Sequence, residues 1–135
     1  MQIQPRIAVM IVTDHPIMRD GLRLRVQQEA DMYVVCDTSD VSQTLRDFHL
    51  CRPDVLIIDL QSPRGAGLRA TDAIRKLSPA TPLVVLEDYP ADAEAQRGSA
   101  HGRTILVPKM LACEQIISAI RKAFSDVRPG GTGCI

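Results

Sequence analysis

Aromatic side chains are scarce in this sequence, making up 3% of it, and tryptophan is absent. The core must therefore be aliphatic, and a site that holds a planar ligand between rings has little to build on. Net charge is missing as well, because sixteen basic and sixteen acidic side chains cancel and no long basic run occurs. This segment thus carries no electrostatic footprint for nucleic acid, and direct DNA binding by it is not expected. No apolar run approaches the ~20 residues needed to span a bilayer, and Met1 to Arg6 lacks the charged-then-apolar pattern of a secretory leader. The expectation is a cytoplasmic protein without membrane contact. Cys36, Cys51, Cys113 and Cys134 contain no CxxC pair and no spacing that gathers thiolates on a metal, so they read as reduced thiols.

What is there fits one globular domain. The chain has 135 residues, of which 45% are hydrophobic and 24% charged, enough to bury a real core. Arg6 to Val12, Val55 to Ile58 and Leu83 to Leu86 are short, nearly continuous apolar runs, the pattern of central parallel strands buried on both faces. Met32 to Cys36 and Thr104 to Val107 supply two more strands, the last closed by Pro108 and so suited to a sheet edge.

Between the strands the apolar period changes to that of helices. Pro16 to about Ala30 carries Met18, Leu22 and Val26, with Ile17 beside them, and Asp14 or His15 is available as its cap. Val41, Leu45 and Phe48 mark a helix that Arg52-Pro53 closes, since the residue before proline is pushed out of the α region. Ala70, Ile74 and Leu77 mark the next, which stops at Ser78-Pro79. Ala91 to Gly102 stands where a helix is due but has no large apolar residue, so that helix is expected to be short or poorly anchored. Ile116, Ile117, Ile120 and Phe124 give the last helix its apolar face. Five strands alternating with five helices predict a doubly wound parallel sheet over residues 1–126. Residues 127–135, with Arg128-Pro129-Gly130-Gly131, read as a linker-like or disordered tail.

The run Val55-Leu56-Ile57-Ile58 ends on Asp59, which the strand delivers to the carboxyl edge of the sheet. Ligands bind at that edge in open α/β folds, although an acid there also serves as a helix cap. Both readings stand until its neighbours are considered. Asp14 follows the first strand, Glu87 and Asp88 the fourth, and Lys109 the fifth, so the alternation brings all of them to one edge. Carboxylates that close together repel unless a cation joins them, and oxygen ligands suit Mg²⁺; a lysine there can pair with a carboxylate or a phosphoryl group.

These residues resemble the receiver domains of two-component response regulators, and among them the NarL/FixJ-like subfamily. The resemblance runs from Arg6 to about Phe124. It is carried by Asp14-His15-Pro16 with Arg19-Asp20-Gly21-Leu22, by Arg52-Pro53-Asp54-Val55 through Asp59-Leu60, and by Pro63, Ile74-Arg75 and Lys109. It implies the flavodoxin-like receiver fold with strand order 2-1-3-4-5. It also implies that Asp59 is the phosphoacceptor for a phosphoryl group from a sensor histidine kinase. Asp14, Asp59 and the backbone carbonyl of Gln61 would then hold Mg²⁺, and Lys109 would contact the phosphoryl group. No enzyme activity is expected beyond self-catalysed phosphotransfer to Asp59 and its dephosphorylation. A homodimer and a C-terminal helix-turn-helix output domain in the natural gene, controlling transcription, belong to the same expectation.

Three positions depart from the family pattern. Thr13 stands where the first of two consecutive acids is usual, which should weaken Mg²⁺ binding. Glu87 replaces a Ser or Thr whose hydroxyl bonds the phosphoryl group, and an ionised carboxylate cannot donate that bond and repels the dianion. Leu106 occupies the aromatic switch position. The alternative function is therefore a phosphorylation-independent pseudo-receiver that works as an interaction or dimerisation module.

The remaining residues have plainer readings. His15 is a helix-start residue, Arg64 a solvated loop arginine and Cys113 a small core residue, and His49 and His101 have no visible partners. Two other classes fail on single features. A haloacid-dehalogenase-type phosphatase needs a second Asp where Gln61 stands, and a flavodoxin-like redox carrier needs a phosphate loop where Thr13-Asp14-His15-Pro16 stands.

Overall fold

The computed structural model of the protein describes residues 6–40, 43–59, 66–87 and 104–127. Each short apolar run forms a strand: β1 is Ile7–Val12, β2 Met32–Thr38, β3 Val55–Asp59, β4 Leu83–Glu87 and β5 Thr104–Pro108. All neighbouring pairs are parallel and the order is β2-β1-β3-β4-β5. Every residue of β1 and β3 is buried, as near-continuous apolar strands in the middle of a parallel sheet require.

Four α-helices lie among the described residues: α1 is Pro16–Gln27, α2 Thr44–Cys51, α3 Ala66–Leu77 and α4 Ala112–Val127, the last entered through a 3₁₀ turn, Lys109–Leu111. The expected helix over Ala91 to Gly102 and the tail beyond Val127 lie outside the described residues. Leu22 and Val26 of α1 join Ile116 and Ile120 of α4 over Val9, Ile11, Val55, Ile57 and Val84 on one face of the sheet. Ala70 and Ile74 of α3, with Phe48 of α2, cover Met10, Leu56, Ile58 and Val85 on the other. Each fully buried Leu or Ile contributes about 1.5–3 kcal/mol, so this aliphatic sandwich supplies the driving force that the missing aromatics do not.

Several local expectations change. Helix α1 ends at Gln27 and not near Ala30, and Ile17 is 88% exposed. Met18, Leu22 and Val26 make one stripe at four-residue spacing, and Ile17 stands about 100° of rotation off it. His15 takes the N-cap position but makes no side-chain cap bond. Its amide donates instead to the Thr13 hydroxyl at 3.1 Å. Strand β2 runs on to Thr38, two residues past Cys36. Leu45 and Leu77 are 42% and 58% exposed, so α2 holds the core through Phe48 and α3 through Ala70 and Ile74. Arg52 does leave the α region, into the left-handed one at φ 50°, where its amide closes α2 on the Phe48 carbonyl at 2.9 Å.

The amino ends of β1 and β3 are locked by a reciprocal pair. The Ala8 amide donates to Asp54 Oδ2 at 2.8 Å, and the Asp54 amide to the Ala8 carbonyl at 2.7 Å. From there the register runs Val9 beside Val55 through Val12 beside Ile58. Thr13 therefore comes out level with Asp59.

Candidate functional site

At the carboxyl edge of the sheet, Asp59 is fully buried. Its Oδ2 receives the Lys109 ammonium at 3.0 Å and the Thr13 hydroxyl at 3.0 Å. Lys109 is itself only 13% exposed at its side chain, so the charge pair is shielded from solvent, and an ionised acid in that position depends on such partners. The backbone explains why they meet. Glu87 of β4 stands beside Pro108 of β5, which fixes the start of the 3₁₀ turn and with it Lys109. Thr13 is held by its amide, which donates to the Thr38 carbonyl of β2 at 3.2 Å.

Asp14 and His15 complete this corner. One ligand atom from each of Asp14, His15 and Asp59 lies within 4.8 Å of the others, close enough for a single ion to reach all three. Two carboxylates with solvent access through the half-exposed Asp14 fit an oxygen-preferring dication with retained waters. Gln61, whose carbonyl was the other expected ligand, lies outside the described residues, as do Asp88, Arg64 and His101. Beside the corner His15, Ile17, Met18, Gly21, Lys109 and Cys113 line an open, mostly apolar hollow of about 380 Å³.

The described structure thus brings together Asp14, Asp59 and Lys109 and puts Glu87 at the end of the neighbouring strand. Leu106 is half-buried in β5 and packs against the cluster that contains Met10 and Leu56. Two contributions escaped the reading of the sequence. Thr13 is more than an absent acid, since its hydroxyl is a direct donor to Asp59; the parallel β1–β3 register was the signal for this. His15, taken for a helix-start residue, also belongs to the metal-sized cluster, and its place directly after Asp14 in an edge loop was the clue.

The strand order and the lysine-paired acid at the sheet edge define a receiver-type α/β domain. Residues 9–121 match the response regulator receiver domain, and the chain belongs to that family. Among its relatives are the transcriptional regulatory protein YxjL of Bacillus subtilis, 29% identical over 87% of this chain and 54% of that protein, and the response regulator protein VraR of Staphylococcus saprophyticus, 28% identical over 89% and 57%. A LuxR-family two-component response regulator from Aurantimonas superposes with a TM-score of 0.78 at 26% identity, covering 89% of this chain and 86% of that one. The response regulator domain of Thermotoga maritima CheB gives 0.73 at 25%, covering 89% and 97%. The homologues are response regulators of the NarL/LuxR kind, and the chain is a receiver domain of a two-component system. It spans about half the length of these curated relatives. No described helix is long and apolar enough to cross a membrane.

Proposed function

We propose that the protein accepts a phosphoryl group on Asp59 from the phosphohistidine of a sensor histidine kinase and passes the signal on through protein contacts. The observation that carries this reading is the Lys109–Asp59 pair, 3.0 Å apart in a buried corner that Asp14 also reaches. In the transfer, a carboxylate oxygen of Asp59 forms the new O–P bond as the N–P bond to the histidine breaks. Such a reaction depends mainly on in-line positioning and charge neutralisation. Lys109 lies against the acceptor and supplies one positive charge to the transferred oxygens. The Thr13 hydroxyl, with Lys109, fixes the plane of the Asp59 carboxylate through Oδ2. Asp14 and Asp59 would hold Mg²⁺, whose chemistry when bound is to neutralise the phosphoryl oxygens. Self-catalysed transfer and hydrolysis at Asp59 would be the only chemistry, in the cytoplasm, with an output domain C-terminal to this segment controlling transcription. The length of both relatives and the name of YxjL as a transcriptional regulatory protein support that arrangement. A homodimer is part of the same reading.

A second reading rests on Glu87 and Leu106. With a carboxylate where a hydroxyl would donate, and an aliphatic side chain packed where a ring would swing, the domain would act as a pseudo-receiver whose contacts do not depend on phosphorylation. Intact-mass measurement after incubation with acetyl phosphate and Mg²⁺ separates the two. The first reading expects one phosphoryl mass on the wild type and none on Asp59→Asn. An unmodified wild type, under conditions that label a control receiver, leaves only the second.

A further inference from the structure

Strand β2 contains an irregularity that alternation alone would not reveal. Its register against β1 runs Val9 beside Val34 and then Met10 beside Cys36, so Val35 is an extra residue. A bulge of this kind re-aims the side chains that follow it. Val35 and Cys36, though consecutive, both pack against the cluster that holds Met10, Leu56 and Ile58, the cluster that α2 covers with Phe48. Cys51 follows Phe48 by three positions on that helix, and side chains at this spacing are neighbours on one helix face. Cys36 and Cys51 are accordingly both half-buried, one on the strand and one on the helix that lies over the same cluster, and Cys51 is near enough to act on the Cys36 thiol. Cys113, the other free thiol among the described residues, is exposed on α4, across the sheet.

We propose that Cys36 and Cys51 are a redox modification site, closing reversibly into an intrachain disulfide that clamps the end of α2 onto the edge strand β2. The inference does not depend on phosphorylation of Asp59. Desolvation, followed by the Cys51 sulfur and the charges of Asp47 and Asp37, pushes the Cys36 thiol up to about 12. Cys36 is therefore disfavoured as the thiolate, and Cys51, the last residue of α2, is assigned the encounter with the oxidant. The oxidant class is a hydroperoxide. The Cys51 sulfur attacks one peroxide oxygen, the O–O bond breaks, and a sulfenic acid forms with release of water from hydrogen peroxide or of the alcohol from an organic hydroperoxide. The Cys36 sulfur then displaces the sulfenic hydroxyl, which leaves as water with the Cys36 proton. In sum two thiols give up two electrons and two protons to one peroxide.

The test treats the whole protein with hydrogen peroxide, blocks remaining thiols with iodoacetamide in denaturant, and maps the peptides. The expected product is a Cys36–Cys51 cross-linked peptide that dithiothreitol reverses. The oxidised protein should melt at a higher temperature than the reduced one, because the bond restricts the unfolded chain. In Cys36→Ser, Cys51 should accumulate as a sulfenic acid trapped by dimedone. Recovery of Cys36 and Cys51 both alkylated while Cys113 is oxidised would overturn the proposal, as would Cys51 linked to any sulfur but that of Cys36. The wild-type map decides even if the variant fails to fold.

Discussion

The two sides of the pocket edge differ. On the side formed by β1, β3 and the turn after β5, the side chains touch, with Thr13 and Lys109 both on Asp59 Oδ2. On the side formed by the end of β4 and the middle of β5 stand Glu87 and Leu106, where the resemblance expects a hydroxyl and a ring. The acceptor side grows out of strands buried on both faces, where one change disturbs the core. Glu87 and Leu106 are only half-buried, so substitution there disturbs less packing. Accepting a signal and responding to it would then be separable demands, and on the proposed reading this domain separates them.

The largest expected effect is on the acceptor side: Asp59→Asn should abolish the acetyl-phosphate mass increase entirely while the circular dichroism spectrum stays unchanged. Lys109→Ala comes next. It leaves a buried carboxylate without its cation and should cost about 3 kcal/mol in urea unfolding, along with slower phosphoryl uptake. Equal stability of Lys109→Ala and wild type would mean that the pair does not hold this corner together. Thr13→Val removes one donor to the carboxylate and should cost about 1.5–2 kcal/mol by the same measurement.

Crossing to the other side, Glu87→Thr removes the repelling charge and adds a donor, worth about 1.4 kcal/mol or roughly tenfold. The phosphorylated form should survive longer by about that factor, followed by intact mass after acetyl phosphate is removed. No change in lifetime would erase the contrast between the two sides.

The smallest effect lies away from the pocket. Arg121 hydrogen-bonds Asp31 and Glu29, and the Arg121 guanidinium holds the Asp31 carboxyl below its usual value. A depressed carboxylate contributes stability that is present above its unfolded pKa of about 4 and lost as pH falls through the lower folded value. Both side chains are about half exposed, so the contribution is screened to below about 1 kcal/mol. Arg121→Gln should therefore flatten only the acid limb of a stability curve, below about pH 4.

Much of the fold was legible because buried parallel strands announce themselves. Val55 to Ile58 and Leu83 to Leu86 have no other comfortable reading, and once they are strands the positions of Asp59 and Lys109 follow. Two features that were not legible share a physical origin, which is that they depend on register between segments distant in sequence. The Thr13 hydroxyl finds Asp59 only because Val12 lies beside Ile58. Cys36 packs against the cluster under α2, beside its neighbour Val35, because Val35 is an extra residue. Ile17 is a local case: it adjoins the stripe in sequence, but the four-residue spacing of Met18, Leu22 and Val26 leaves it off that face.

The reciprocal pair between Asp54 and Ala8 has a reach that its location conceals. It sits at the amino ends of β1 and β3, a full strand length from the pocket. A parallel strand behaves as a rod of fixed pitch, about 3.3 Å per residue, so whatever sets its zero mark sets the alignment of its far tip. Slipping that mark by one residue would carry Thr13 past Asp59 and turn its hydroxyl toward the opposite layer. Asp54 is in this sense the index pin of the instrument, and the tolerance of the Asp59 corner is determined at the end of the sheet farthest from it.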